Sequence, residues 1–301
     1  MRRHITLFIL SIIFITIFTP ASHANIEALI AQGATVKELA SGFKFTEGPA
    51  VAPNGDIFFS DIPNETIHRY DIKEKTISLF RKNTGRGNGI YFDFDGSIIL
   101  CEGGNQQLTK ISMNNDVVVL TKSFNGRKYN SPNDCWIAPK GGIYFTDPKY
   151  GGKNPQLSQD GMHLYYLKPD RKTVIRVDDD LIKPNGVLGT PDGRILYVAD
   201  HGGDKTYVYD INADGTLSNK KIFCNQGSDG MARDAHGNIY LTTDGVEIYS
   251  LNGKKLGKII VPQRPANVVF GAINDKTLYI TAGKGFYAIK MNVAGQSNLK
   301  N

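Results

Sequence analysis

One short phrase returns six times along this chain, and each return begins with a residue whose side chain offers an oxygen. The starts are Glu47, Asn88, Asn133, Asn185, Asp229 and Asn267, separated by 41, 45, 52, 44 and 38 residues. After 11 or 12 residues each leads to an apolar or aromatic couplet: Phe58-Phe59, Ile99-Leu100, Tyr144-Phe145, Tyr197-Val198, Tyr240-Leu241 and Tyr279-Ile280. A turn rich in Gly, Asn or Asp lies between, as in Pro53-Asn54-Gly55-Asp56 and His236-Gly237-Asn238. Self-similarity at this period marks an architecture of stacked supersecondary units.

The first unit reads as four strands. Pro49 to Ala52 is followed, after the Asn54-Gly55 hairpin signal, by Ile57 to Ser60. Thr66 to Tyr70 and Thr76 to Phe80 supply the third and fourth. Long helical periodicity is absent. Six such units predict an all-β fold, a six-bladed β-propeller with four antiparallel strands per blade. The last unit has only three: Asn267–Phe270, Thr277–Thr281 and Gly285–Lys290. An unpaired edge would remain unless another segment supplies the fourth. Thr35 to Leu39, just ahead of the first repeat, is the expected donor, so an N-terminal strand closes the ring.

The N-terminus reads as an address. Arg2 and Arg3 precede an apolar run from Ile5 to Phe18, and Ser22-His23-Ala24 gives a small-x-small cleavage pattern. Residues 1–24 are therefore expected to be a cleaved signal peptide. The remainder, 25–301, is expected to be one propeller domain, periplasmic or secreted, with no membrane attachment after cleavage. Removing Arg2 and Arg3 takes the formal charge from +6 to +4, a mild excess that leaves no nucleic-acid footprint. Cys101, Cys135 and Cys224 lack the spacing of a thiolate zinc site. They read as three buried thiols, with a Cys101–Cys135 bridge as the alternative.

Repeat geometry decides where chemistry sits. Inner strands line the channel, so the six starts ring one of its mouths. Second strands run back antiparallel, and their ends return Asp61, Glu102, Asp147 and Asp200 to that face. The insertion from Pro148 to Gly161 leaves from the same face, where a lid or substrate loop would sit. Four starts stand out: Glu47 in TEGP, Asn133 in SPND, Asn185 in KPNG and Asp229 in SDGM. Two carboxylates and two amide carbonyls form a hard oxygen set suited to Ca²⁺ or Mg²⁺, with calcium favoured because it accepts irregular coordination. Asn88 and Asn267 read instead as turn formers or channel lining. Asp61, Asp147 and Asp200 read as structural, tying one blade to the next, and Glu102 is open between that role and a part in the site.

EGP at 47–49, FFSD at 58–61, NSPND at 130–134, YFTDPKYG at 144–151, KPNG at 183–186 and SDGM at 228–231 together resemble the SMP-30/gluconolactonase family, especially its bacterial gluconolactonases. The resemblance implies one channel cation, usually calcium, with Mg²⁺, Mn²⁺ or Zn²⁺ as alternatives. It assigns Glu47, Asn185 and Asp229 to the metal and Asn133 to metal or substrate. It makes Asp229 the proton donor and acceptor, and the substrate a sugar lactone. Two departures stand out: Val51 follows Ala50 where many relatives carry Trp, and Glu102-Gly103-Gly104-Asn105 stands where many read E-H-G-N. Ser131 also replaces the Arg of mammalian members.

The resulting expectation is a divalent-metal-dependent lactonase that hydrolyses aldonolactones, with Asp229 catalytic and Asn133, Tyr150 and His201 contacting substrate. No G-x-S-x-G elbow offers another nucleophile. The competing readings are a phosphotriesterase or paraoxonase-like esterase, a non-catalytic binding scaffold, and a strictosidine-synthase-like propeller.

Overall fold

The computed structural model describes residues 26–152, 154–272 and 274–296. The expected signal peptide and its cleavage point lie outside the described residues. Six four-stranded antiparallel sheets follow one another around a ring. Blade 1 comprises Thr46–Val51, Ile57–Asp61, Thr66–Asp71 and Thr76–Lys82. The other inner strands are Gly87–Phe92, Cys135–Ile137, Pro184–Gly189, Met231–Arg233 and Pro265–Phe270, and each touches its two neighbours so that the circle closes. This is the six-bladed β-propeller that the repeat predicts.

Closure uses the two ends of the chain. Lys37–Ser41 pairs antiparallel with Gly285–Lys290, placing Lys37 opposite Ala288 and Ser41 opposite Gly285. The donor is thus two residues later than the sequence pattern indicates. The hydroxyl of Thr46, entering blade 1, donates to the carbonyl of Gly285 at 2.7 Å, which locks the seam. Aromatic packing continues across it: Phe59 of blade 1 stacks on Phe286 of blade 6 with ring centres 4.6 Å apart.

The turns and the ring have separate causes. Asn54-Gly55 makes the first hairpin because Gly55 takes φ +92°, which a side chain would disfavour. Around the channel, four of the six starts are followed by glycine (48, 89, 186 and 230). A Cβ on Gly186 would stand 2.6 Å from the Asp229 carbonyl oxygen of the next blade. The small residue after each of these starts therefore lets neighbouring inner strands approach to backbone contact. Blades 3 and 6 depart from the pattern, with Asp134 and Val268 in the glycine register.

Two elements were not anticipated. A short hairpin, Ser123–Phe124 with Arg127–Lys128, follows blade 2. A single helical turn, Ile26–Leu29, packs beside blade 5. Among the described residues no helix is long and apolar enough to cross a membrane. Cys101, Cys135 and Cys224 are free and buried, so the bridge alternative is not realised.

Candidate functional site

Three of the ring residues are set by one repeated device. Asp61, at the end of a second strand, accepts the backbone amides of Lys44 (3.1 Å) and Phe45 (3.0 Å). Asp147 accepts those of Asn130 (2.8 Å) and Ser131 (2.7 Å). Asp200 accepts those of Ile182 (2.9 Å) and Lys183 (2.7 Å). In every case the second amide lies two residues before the ring residue: Glu47, Asn133 or Asn185. Two backbone hydrogen bonds to one carboxyl therefore fix, as a strap, the strand entry that delivers each oxygen. The preceding blade adds a second hold, because Thr146 Oγ1 donates to the Asn185 carbonyl at 2.7 Å. Blade 5 has no such Asp; there the Asp229 amide donates to Thr242 O at 3.2 Å and Ser228 Oγ accepts the Thr242 amide at 2.8 Å.

Glu102 works differently. It accepts Asn105 Nδ2 (2.7 Å), Gln107 Nε2 (2.8 Å) and Thr109 Oγ1 (2.6 Å), all from its own blade. It is a local knot and not a strap.

The ring residues Glu47, Asn185 and Asp229 come together. Asn185 Nδ2 donates to Asp229 Oδ1 at 2.5 Å and to Tyr150 Oη at 2.6 Å. Glu47 and Asp229 act on each other at close range, and Asn267 also acts on the Glu47 carboxyl. Burial, then repulsion from Asp229, holds the Glu47 carboxyl well above the usual range. Burial also raises Asp229, against the opposing pull of His201, Asn185, Glu47 and Arg264. Two buried carboxyls so placed cannot both ionise unaided, so they share a proton between them. Asn133 occupies its predicted place in the ring, only 7 % exposed, and its side chain has no hydrogen-bond partner among the described residues.

The donor set is chemically suited to a hard divalent cation. Glu47 and Asp229 supply two negative charges at one point, and Asn133 supplies an unpartnered amide. Asn185 presents its NH₂ and not its carbonyl to Asp229, so ligation through Oδ1 requires the amide to turn over. Among the described residues no three His, Cys, Asp or Glu side chains gather as a metal cluster. Oxygen from amides or water would have to complete any coordination shell.

Tyr150 and His201 reach the same mouth. Their ring centres are 6.4 Å apart, and Tyr150 touches Asn185 as described. Desolvation and the negative field of Asp229 hold the Tyr150 phenol up, so it is neutral. The far part of the 148–161 insertion is tied down: Ser158 and Gln159 amides donate to Asn130 Oδ1 at 2.8 and 3.1 Å. The substrate-loop expectation thus applies to its first residues, around Tyr150.

Several site residues escaped the sequence pattern. Asn267, read as channel lining, acts on Glu47 and opposes the rise of its carboxyl. Arg264 acts electrostatically on Asp229 and Tyr150, and Lys183 Nζ lies 5.2 Å from the centre of the Tyr150 ring. Asp134 faces the channel, where burial, with Asp229 adding repulsion, pushes its carboxyl up to about 7. Asp134 also lines a cavity of about 150 Å³ that runs away from the ring between apolar walls including Val51, Ile90, Val187 and Phe270. The run of oxygen-bearing starts pointed to Asn267. No periodic signal marked the two cations.

Comparison with known proteins bears on the family and the fold. The SMP-30/Gluconolactonase/LRE-like region matches residues 45–284. A gluconolactonase from Zymomonas mobilis is 27% identical, with 93% of this chain and 87% of the relative covered. The lactonase drp35 of Staphylococcus saprophyticus is 25% identical over 72% of this chain and 70% of its own. Among solved structures, a gluconolactonase from Xanthomonas campestris superposes with a TM-score of 0.83 at 26% identity, covering 90% of this chain and 93% of that one.

Proposed function

The chain belongs to the SMP-30/gluconolactonase/LRE-like family, and we propose that it is a lactonase, a carboxylic ester hydrolase that opens small sugar lactones with the help of one divalent cation. The observation that carries the reading is the meeting of Glu47, Asn185 and Asp229, from three different blades, at one channel mouth. The gluconolactonase and lactonase relatives support the reaction class. Aldonolactones are the proposed substrates. Calcium is the proposed ion, since the donors are hard oxygens in an irregular set.

Glu47, Asn185 and Asp229 would hold the cation, with Asn133 either joining them or orienting the ester. When bound, such an ion polarises a lactone carbonyl and acidifies a water molecule. The side chains have their own tasks. Asp229 accepts a proton from the attacking water and returns it to the ring oxygen as the C–O bond breaks. To do so it must keep one carboxylate oxygen free of the metal. Tyr150, neutral and close to Asn185, offers its hydroxyl to a sugar oxygen, and His201 lies across from it. Export to the periplasm or medium is proposed from residues 1–24.

The test is hydrolysis of aldonolactones, acyl-homoserine lactones and aryl phosphotriesters, with excess chelator and after calcium add-back. The reading expects chelator-sensitive turnover of aldonolactones, and an Asp229→Asn variant that folds normally but loses at least about a thousandfold in kcat. Full activity in excess chelator contradicts the metal assignment. Turnover of phosphotriesters alone contradicts the substrate assignment.

A further inference from the structure

The mouth carries more positive charge than a neutral sugar requires. Lys183 Nζ lies 5.2 Å from the Tyr150 ring centre. Arg264 is exposed at the entry of blade 6, directly ahead of the inner strand Pro265–Phe270, and its charge is felt by both Tyr150 and Asp229. Some cations elsewhere on the blades are paired with acids, such as Lys110 with Asp93 and Asp95, Arg176 with Asp160 and Asp179, and Lys255 with Glu247. Among the described residues, neither Lys183 nor Arg264 has an Asp or Glu at ion-pair distance. Asp204, on the His201 turn, accepts the Gly227 amide at 3.2 Å.

Lys183 is also held unusually well for a rim lysine. Its own amide is the one strapped to Asp200 Oδ1 at 2.7 Å, so its Cα is fixed two residues before Asn185. Tyr150, on the opposite side, is anchored through its hydroxyl to that same Asn185. The cation is thus aimed by the backbone that positions the candidate metal residue.

A divalent cation between Glu47 and Asp229 would cancel their two charges and leave Lys183 and Arg264 without an anion. We propose that these two residues receive an anionic group, carboxylate or phosphate, on the substrate arm remote from the scissile ester. The preferred substrate class is therefore an acidic lactone. This rests on the lactonase reading above and narrows it. The two charges act over a short range at the mouth, so selectivity should weaken with salt.

The experiment compares glucono-1,5-lactone with its 6-phosphate and with the lactone bearing a 6-carboxylate, on the calcium-loaded full chain. Wild type should favour an acidic lactone in kcat/KM, chiefly through KM. Lys183→Met or Arg264→Met should each reduce the acidic-to-neutral ratio about tenfold, and Lys183→Arg should restore most of the loss. Whichever acidic lactone shows the larger ratio identifies carboxylate or phosphate as the group read. Equal use of neutral and acidic lactones, or a ratio that both Met variants leave unchanged, overturns the proposal and leaves the lactonase reading standing. If no lactone is hydrolysed, that reading fails, and calorimetric binding of the 6-phosphogluconate and glucarate anions decides the proposal separately. Tighter binding by wild type than by Lys183→Met then supports the anion site, and equal binding overturns it.

Discussion

Replacing Asp200 by Asn tests whether the straps exist to aim the ring. Asp200 Oδ2 accepts the Ile182 amide at 2.9 Å, and Oδ1 accepts Lys183 at 2.7 Å and Gly203 at 3.2 Å. An Asn at this position keeps one acceptor oxygen and turns an NH₂ toward an amide that needs an acceptor. One backbone N–H is then orphaned in a buried setting, which costs about 1–3 kcal/mol. The remaining bonds lose their charge assistance. A loss of about 2 kcal/mol lowers Tm by roughly 4–8 °C in a chain of this size class. The strand entry also loosens two residues before Asn185, so calcium affinity should fall roughly 10–100-fold, as when groups that orient a ligand are removed. Glu102→Gln is the control. Glu102 sits at the matching position of blade 2 but binds only side chains of its own blade, so its loss should lower Tm with little effect on calcium. Differential scanning calorimetry and calcium titration on both variants are the assay. If both variants lose calcium affinity equally, or Asp200→Asn leaves it intact, the straps are only structural and the argument fails.

Two further outcomes follow from buried groups. Cys101, Cys135 and Cys224 are free and buried, so a thiol reagent should find none of them in the native protein and all three after denaturation. Peptide mapping that finds a Cys101–Cys135 disulfide contradicts this. Burial pushes Asp147 up to about 7, against the opposing Asn130 and Ser131 amides, above the ordinary carboxyl value of about 4. The native state then binds this proton more tightly than the unfolded state does. Its contribution is full below pH 4 and is lost as pH rises through 7, by no more than about 4 kcal/mol. Urea unfolding of chelated protein at pH 5 and pH 8 should show this decline, and Asp147→Asn should flatten it; an unchanged slope in the variant contradicts the assignment.

The ring was legible because its signal is periodic. Oxygen-bearing starts from Glu47 to Asn267, each 11 or 12 residues ahead of an apolar couplet, are strand entries and strand centres seen edge-on. The missing fourth strand of the last repeat pointed to its donor within two residues. The hairpin at 123–128 was not legible, although Asn125-Gly126 is a strong turn signal, because its arms of two residues each carry no alternation. Tyr150 and His201 were placed at the mouth from topology alone, since both follow second-strand ends. Lys183 and Arg264 were missed for the opposite reason: single cations ahead of inner strands look like any surface charge until a ring or a carboxyl is seen beside them. Asn267 was set aside as lining because Asn suits turns, and only its effect on Glu47 distinguishes it. Asp134 was hidden by occupying the register that glycine holds in four other repeats.

The proposed function requires that Glu47 and Asp229 make one divalent site. Calorimetric titration of the chelator-stripped full chain with calcium measures this directly, with the Glu47→Gln, Asp229→Asn double variant beside it. The prediction is one calcium per wild-type chain, and no measurable binding by a double variant that still shows the β-sheet circular dichroism of the folded ring. Calcium binding by the double variant with wild-type stoichiometry and affinity would contradict it.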